Sequence, residues 1–285
     1  MTPSHPSSGT YFVQDQQNEE EFLRVAEQDR LVTASMGGVL AEQENAGRFL
    51  RVLDVACGVG NWAIEAAQTY PDMALVGIDS NPRMIASARE QAEAQHVSER
   101  VEFRMMDALQ VLDFPDRSFD MVNLRFALGF VRTWEWSRLL SGLSRILRPG
   151  GVVRITEEEV IHQSNSPASM QFCTMLECAL FRSGHLFTQE SNGLTNRLAS
   201  LLSQQGFQQV QTRSYALHYQ AGTPEGQTYV QDGIRVLRTL RPFVQKWGCL
   251  GEDYETIQQQ AIEEMTQSAF SATWHLLTVW GSKPR

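Results

Sequence analysis

The feature that most constrains the fold of this chain is a regular alternation between short apolar runs and helical stretches. Between Leu50 and Thr156 the runs Arg51–Ala56, Met73–Ile78, Val101–Met105, Phe119–Leu124 and Gly151–Thr156 are β-branched or apolar, as strands buried on both faces should be. Helical segments fill the gaps. One opens at Gly60 and ends before Pro71, and the next starts near Asn81-Pro82, where proline suits a first helical turn. A third spans about Trp134 to Leu147, with Trp136, Leu139, Leu140, Leu143 and Ile146 on one stripe, and stops at Arg148-Pro149-Gly150-Gly151. Such alternation implies right-handed βαβ units and an α/β fold with a doubly wound parallel sheet.

The flanks read differently. Residues 1–18 read as a flexible N-terminal tail, and 19–48 as a helical segment with Phe22, Leu23, Ala26, Leu31 and Val32 near helical spacing. Residues 49–160 form the core just described. Helices are expected over Ser169–Gly184, Leu194–Gln204, Glu225–Trp247 and Asp253–Ser268, and strands over Phe207–His218 and Ala272–Gly281. Residues 161–190 therefore read as a cap insertion. Residues 191–285 read as the return to the sheet, interrupted by a helical insertion at about 220–269.

Composition excludes several classes. A net charge of −9 without a Lys/Arg run disfavours a nucleic-acid partner, whose phosphates need neutralising. No apolar run approaches the roughly 18 to 20 residues of a membrane helix, and the start lacks a secretory signal pattern, so the expected location is the cytoplasm. Cys57, Cys173, Cys178 and Cys249 form no C-x-x-C pair and read as free thiols in a reducing compartment.

The candidate site begins with Val52-Leu53-Asp54-Val55-Ala56-Cys57-Gly58-Val59-Gly60, a strand entering a glycine loop that opens a helix. Glycine there lets backbone pass close to a ligand, and the helix start adds unpaired N–H groups. Asp54, Asp79 and Asp107 stand near the ends of three successive strands, the edge where open α/β sheets bind ligands. Any one of them could be a cap or turn residue. Together they suit a ligand with a cation, a diol and an amine. A nicotinamide enzyme is the rival, because Gly58-x-Gly60-x-x-Ala63 also satisfies a dinucleotide pattern. Asp54 opposes it, since a carboxylate four residues before Gly58 would repel a pyrophosphate.

These segments resemble the class I methyltransferases that use S-adenosylmethionine (SAM), in the branch related to ubiquinone and menaquinone biosynthesis. The likeness runs from Asp54–Gly60 through Asp79, Asp107-Ala108 and Phe119–Arg125 to Leu147–Gly151, with Ala56 standing where that family has its first glycine. It implies a seven-stranded, mostly parallel Rossmann-like sheet with its last strand antiparallel and a helical cap. It implies SAM as cofactor. Asp54, Ala56, Cys57, Gly58 and Gly60 would surround the methionine part, Asp79 the ribose, and Ser80, Met84, Asp107 and Ala108 the adenine. Asn123 and Arg125 would close the pocket, and Tyr11, Gln28 or Arg30 would reach the SAM carboxylate from the N-terminal segment.

The expected reaction is methyl transfer to a small, apolar O-, C- or N-acceptor. An NAD(P)-dependent oxidoreductase and a SAM-binding protein without turnover stay open as alternatives, as does a homodimer. No metal is expected, because acids follow only the fifth strand, as Glu157-Glu158-Glu159. Glu157, His162 and His185 are the candidates for binding or deprotonating the acceptor, although a solvated acidic run and structural histidines are the ordinary readings of such residues.

Overall fold

The computed structural model describes residues 18–285. The helix α1 (Glu19–Ser35) is capped by the Asn18 side chain, which accepts from the Glu21 amide at 2.9 Å. The core then alternates β1 (Arg51–Val55), α2 (Asn61–Thr69), β2 (Ala74–Asp79), α3 (Pro82–Ala94), β3 (Val101–Met105), β4 (Phe119–Arg125), α4 (Trp136–Ile146) and β5 (Leu147–Glu158). The expected alternation is present, with boundaries shifted by a few residues. Asn81 caps α3 by accepting from the Arg83 amide, with Pro82 in the first turn.

The sheet has eight strands rather than the seven expected. Strands β3, β2, β1, β4 and β5 lie side by side in parallel. After β6 (Gln163–Ser164), α5 (Pro167–Arg182) and α6 (Thr195–Gln204), the long strand β7 (Gln208–Gln220) pairs antiparallel with β8 (Ser271–Ser282), which itself pairs antiparallel with β5. The additional strand is β6, whose two residues pair with Ala272 and Thr273 of β8 just beyond the end of β5. Two residues carry no periodicity, so sequence patterning does not reveal it.

Alternate residues along the central strands feed two cores, one on each face of the sheet. Val52, Met121 and Val152 join Trp62, Phe103 and Ile85 on one side. Leu53, Val122 and Val153 join Leu139, Leu143 and Leu198 on the other. Asp120 ties β4 to the start of β1, accepting from the amides of Leu50 and Arg51 at 2.7 and 2.9 Å.

The expected single helix over Glu225–Trp247 is two, α7 (Pro224–Thr239) and α8 (Arg241–Lys246), because Pro242 starts a new first turn; α9 (Tyr254–Met265) follows. Helix α7 lies against α1, tied by Gln28 and Arg24 to Asp232, by Arg235 to Glu27 and by Arg238 to Glu20. The cysteines depart from expectation. Cys178 in α5 is disulfide-bonded to Cys249 after α8, across 71 residues, while Cys57 and Cys173 are free. Helical packing in the cap brings the pair together, and no short-range spacing signals it.

Candidate functional site

The loop after β1 is built by backbone pairing and one carboxylate. The Cys57 amide donates to the Ile78 carbonyl at 2.9 Å, prolonging the β1–β2 register into the loop. Asp79, at the end of β2, accepts from the Gly58 amide (3.0 Å) through one oxygen and from the Asn81 amide (2.8 Å) through the other. Burial pushes its carboxyl up, and those N–H groups oppose the shift. Each oxygen keeps a further lone pair for a ligand hydroxyl. The Gly58 amide is already satisfied, so the loop donor that a pyrophosphate would need is taken by a carboxylate. That arrangement suits a ribose diol and opposes a dinucleotide.

A cavity of about 710 Å³ opens above this loop. Ala56, Cys57, Gly58, Asp79, Ser80, Met84, Asp107, Ala108 and Arg125 all line it. Asp107 also accepts from the Leu109 amide at 2.8 Å, which fixes its turn. Ala56 sits at φ +54°, a left-handed conformation that accounts for glycine at the corresponding position of the family motif.

Several expected residues lie elsewhere. Asp54 and Asn123 are absent from the cavity wall. They belong to a buried polar chain in which Arg154 pairs with Glu42 (2.7 Å) and donates to Asn123 (2.7 Å), and Asn123 donates to Asp54 (2.8 Å). Burial would push Glu42 up, but the Arg154 charge and hydrogen bonds hold it below the ordinary carboxylate range. Burial raises Asp54 to about 7 against the Asn123 hydrogen bond. Gly60 is also off the wall. A Cβ there would meet Phe103 Cζ at 2.4 Å, so its role is to admit that ring. Arg30 is exposed and donates to Asn61 (3.3 Å) and Gln91 (2.9 Å) instead of reaching the cavity. Arg24, Gln28 and Asp29 of α1 do reach it, and Asp29 is paired with Arg125. Tyr11 lies outside the described residues.

Of the three candidate acceptor residues, the structure brings only His162 to the cavity. Glu157 is fully buried and accepts from the amides of Ala127 (2.6 Å) and Leu128 (3.1 Å), capping the turn after β4. Burial, opposed by those amides, pushes it up to about 8. His185 is buried and shares a 2.7 Å hydrogen bond with the Ser183 hydroxyl, away from the cavity. Alternation along β5 explains the swap: Glu157 points into the core, and its neighbour Glu158 lines the cavity.

The cavity continues from the loop into the cap. Helix α7 presents Tyr229, Asp232, Gly233, Val236 and Leu237 to it, with Leu240 at its C-cap continuing the stripe at helical spacing. Asp232 is buried, its Oδ1 accepts no hydrogen bond among the described residues, and burial raises it to about 6 against the charge of Arg24. Sequence reasoning missed Arg24, Tyr229 and Asp232. The available signal was an acid and a tyrosine set within an otherwise apolar helical stripe. Phe126, in a left-handed conformation at φ +56°, stacks on Trp274 with ring centres 5.9 Å apart and brings its ring to the wall beside Phe130 and Phe172. Among the described residues no helix is long and apolar enough to cross a membrane.

Known proteins resemble this chain in sequence and in fold. Residues 52–151 match the family described as "Methyltransferase domain". A demethylmenaquinone methyltransferase of Deinococcus radiodurans is 40% identical over 107 residues, which are 38% of this chain and 42% of that protein. The chain spans less than half the length of the curated relatives at the head of the matches. Two solved structures, each 18% identical, share the fold. One is the YcgJ protein of Bacillus subtilis (TM-score 0.55, 88% of this chain and 99% of that one). The other is phosphoethanolamine N-methyltransferase 2 of Haemonchus contortus, solved with SAM (TM-score 0.54, 100% of this chain and 62% of that one). Segment 52–151 is therefore a methyltransferase domain, of the class I, SAM-dependent type that its motifs resemble.

Proposed function

We propose that this chain transfers a methyl group from SAM to a small molecule with an apolar body. The observation that carries the reading is a continuous cavity, which runs from the Gly58–Asp79 loop to the aromatic cap. One end offers a carboxylate with lone pairs for a diol, and the other offers Phe126, Phe172 and the α7 stripe to an apolar guest. SAM would supply the activated methyl, bound by Asp79 at the ribose and by Met84, Asp107 and Ala108 around the adenine. The protein's share of the chemistry is alignment and exclusion of water, worth roughly 7 to 11 kcal/mol of barrier in well-oriented reactions.

The reading includes the 161–190 cap as the acceptor-side wall, a cytoplasmic location and no nucleic-acid partner. It leaves the homodimer to be weighed by sedimentation. Calorimetry with SAM and with NADH, followed by detection of S-adenosylhomocysteine release over an acceptor panel, tests it. Binding of NADH without SAM would replace this reading with the oxidoreductase one. SAM binding without release over the whole panel would favour a non-catalytic binder.

A further inference from the structure

We propose that the Cys178–Cys249 bridge is a redox-operated strap on the cavity, and that its reduction frees one wall of the cap and speeds the passage of molecules into that end. The inference stands whatever ligand the cavity takes. The wall in question is α5. Ser169, Phe172, Cys173, Leu176 and Leu180 form its cavity stripe, at helical spacing. Cys178 lies about half a turn round the helix from that stripe. The bridge therefore grips α5 away from the space a guest would fill. Its other end, Cys249, follows α8. Both cysteines are half-buried, so a small thiol can reach the bond.

The two ends of α5 are held unequally. Helices α7 and α9 form one unit, because Tyr254 and Gln258 of α9 both donate to the Leu237 carbonyl of α7. Glu264 of α9 fixes the N-terminal end of α5 to that unit, accepting from the Ser166 hydroxyl (2.6 Å) and the Ala168 amide (3.1 Å). Phe172 then meets Tyr254 edge-on. At the C-terminal end, the exposed Arg182 donates to the carbonyls of Trp247 (3.1 Å) and Gly248 (3.0 Å), and His185 beyond the helix meets Phe243 of α8 edge-on. Hydrogen bonds that water can replace are weak ties. The bridge is the strong one at this end. Once it opens, α5 can pivot about the end that Glu264 anchors.

The reductant is a small dithiol. One of its thiolates attacks a bridge sulfur, the S–S bond breaks, and the departing cysteine sulfur leaves as a thiolate and takes a proton. The reductant's second thiolate then attacks its own sulfur in the mixed disulfide and releases the other cysteine. Two electrons pass from the dithiol to the bridge, giving two protein thiols and a cyclic disulfide. Cys173 takes no part, because it sits on the cavity stripe. That position makes it a reporter of the wall, with Cys57 at the loop end of the same cavity as the control. Burial pushes the Cys173 thiol up to about 11 and the Cys57 thiol well above its ordinary range, so both react slowly while covered.

The test exposes the air-oxidised full chain and the Cys178→Ser, Cys249→Ser double variant to iodoacetamide without reductant. Peptide mass spectrometry reads Cys173 and Cys57 separately. Loss of the bridge should speed labelling of Cys173 at least about tenfold more than labelling of Cys57, as local opening requires. Equal acceleration at both would mean that the bridge stabilises the whole fold and operates no wall. Unchanged labelling of Cys173 would mean that α5 stays shut without it. Either result overturns the proposal, as would free thiols at Cys178 and Cys249 in the air-oxidised chain. Hydrogen exchange on the unaltered chain, with and without dithiothreitol, decides the matter if the variant does not fold. Residues 176–182 and 247–253 should gain more exchange on reduction than strands β1 to β4, and a uniform or absent gain would overturn the proposal.

Discussion

Gly60 separates two explanations of a glycine loop. In one, glycine lets a ligand approach; in the other, it lets the protein pack. The structure favours packing. At φ +78° any L-residue is strained, and an added Cβ would stand 2.4 Å from Phe103 Cζ, 2.7 Å from Phe103 Cε1 and 3.0 Å from Ala88 Cβ. Gly60→Ala should therefore cost about 1–2 kcal/mol for the left-handed backbone and about 1–3 kcal/mol for overpacking. Those sums give a loss of roughly 2–5 kcal/mol by urea denaturation. Phe103→Leu removes the two clashing ring carbons. Alone it should cost about 1–2 kcal/mol, part of the roughly 3–5 kcal/mol of a full Phe→Ala truncation. Combined with Gly60→Ala it should be less damaging than the sum by about 1–3 kcal/mol, since residues in contact couple. Strict additivity would refute the packing argument. So would a Gly60→Ala protein of normal stability that no longer binds SAM, because the missing Cβ would then be facing the ligand.

Other outcomes follow from the same geometry. Asp79→Ala should weaken SAM binding by about 1.5–3 kcal/mol, the worth of hydrogen bonds to a charged group, as read by calorimetry; unchanged affinity would remove Asp79 from the site. Asp54 binds its proton more tightly folded than unfolded, with a folded value of about 7. Its contribution to stability is thus full below the ordinary aspartate range and is lost as pH rises toward 7. Asp54→Asn should flatten the fall in melting temperature between pH 4 and 7, and an unaltered slope would contradict the assignment. Breaking Cys178–Cys249 with reductant or by Cys249→Ser should cost about 4 kcal/mol, the loop-closure value for a span of this length, in denaturation with and without the bridge. Mass spectrometry of the chain purified from cytosol without reductant would show whether the bridge persists in a reducing compartment.

The central sheet was legible because parallel strands buried on both faces must be apolar, and because Pro71, Pro82 and Pro149-Gly150 punctuate the helices. The loop end of the cavity was legible in Gly58, Asp79, Met84 and Asp107, where chain position near a strand end nearly determines spatial position. Asp54 and Asn123 were misplaced for a different reason. Both lie within a strand, Asp54 next to last in β1 and Asn123 in β4, where a side chain's partners depend on the neighbouring strands, and Arg154 draws both into the buried chain that ends at Glu42. Glu157 and Glu158 show the same limit at one-residue resolution. An acidic triplet does not reveal which member points inward until strand register is known. The cap end of the cavity was least legible. His162, Tyr229 and Asp232 lie on separate elements, and only the packing of the cap brings them to one wall.

On the proposed reading, the contacts between α1 and α7 would give two ligands a common ceiling. Both helices line the cavity, α1 through Arg24, Gln28 and Asp29 and α7 through Tyr229 and Asp232, and four ionic or polar ties link them. A ligand that immobilised the first helix would lower the entropy cost of immobilising the second. Donor and guest would then strengthen each other's residence by an equal factor, although neither need touch the other's helix.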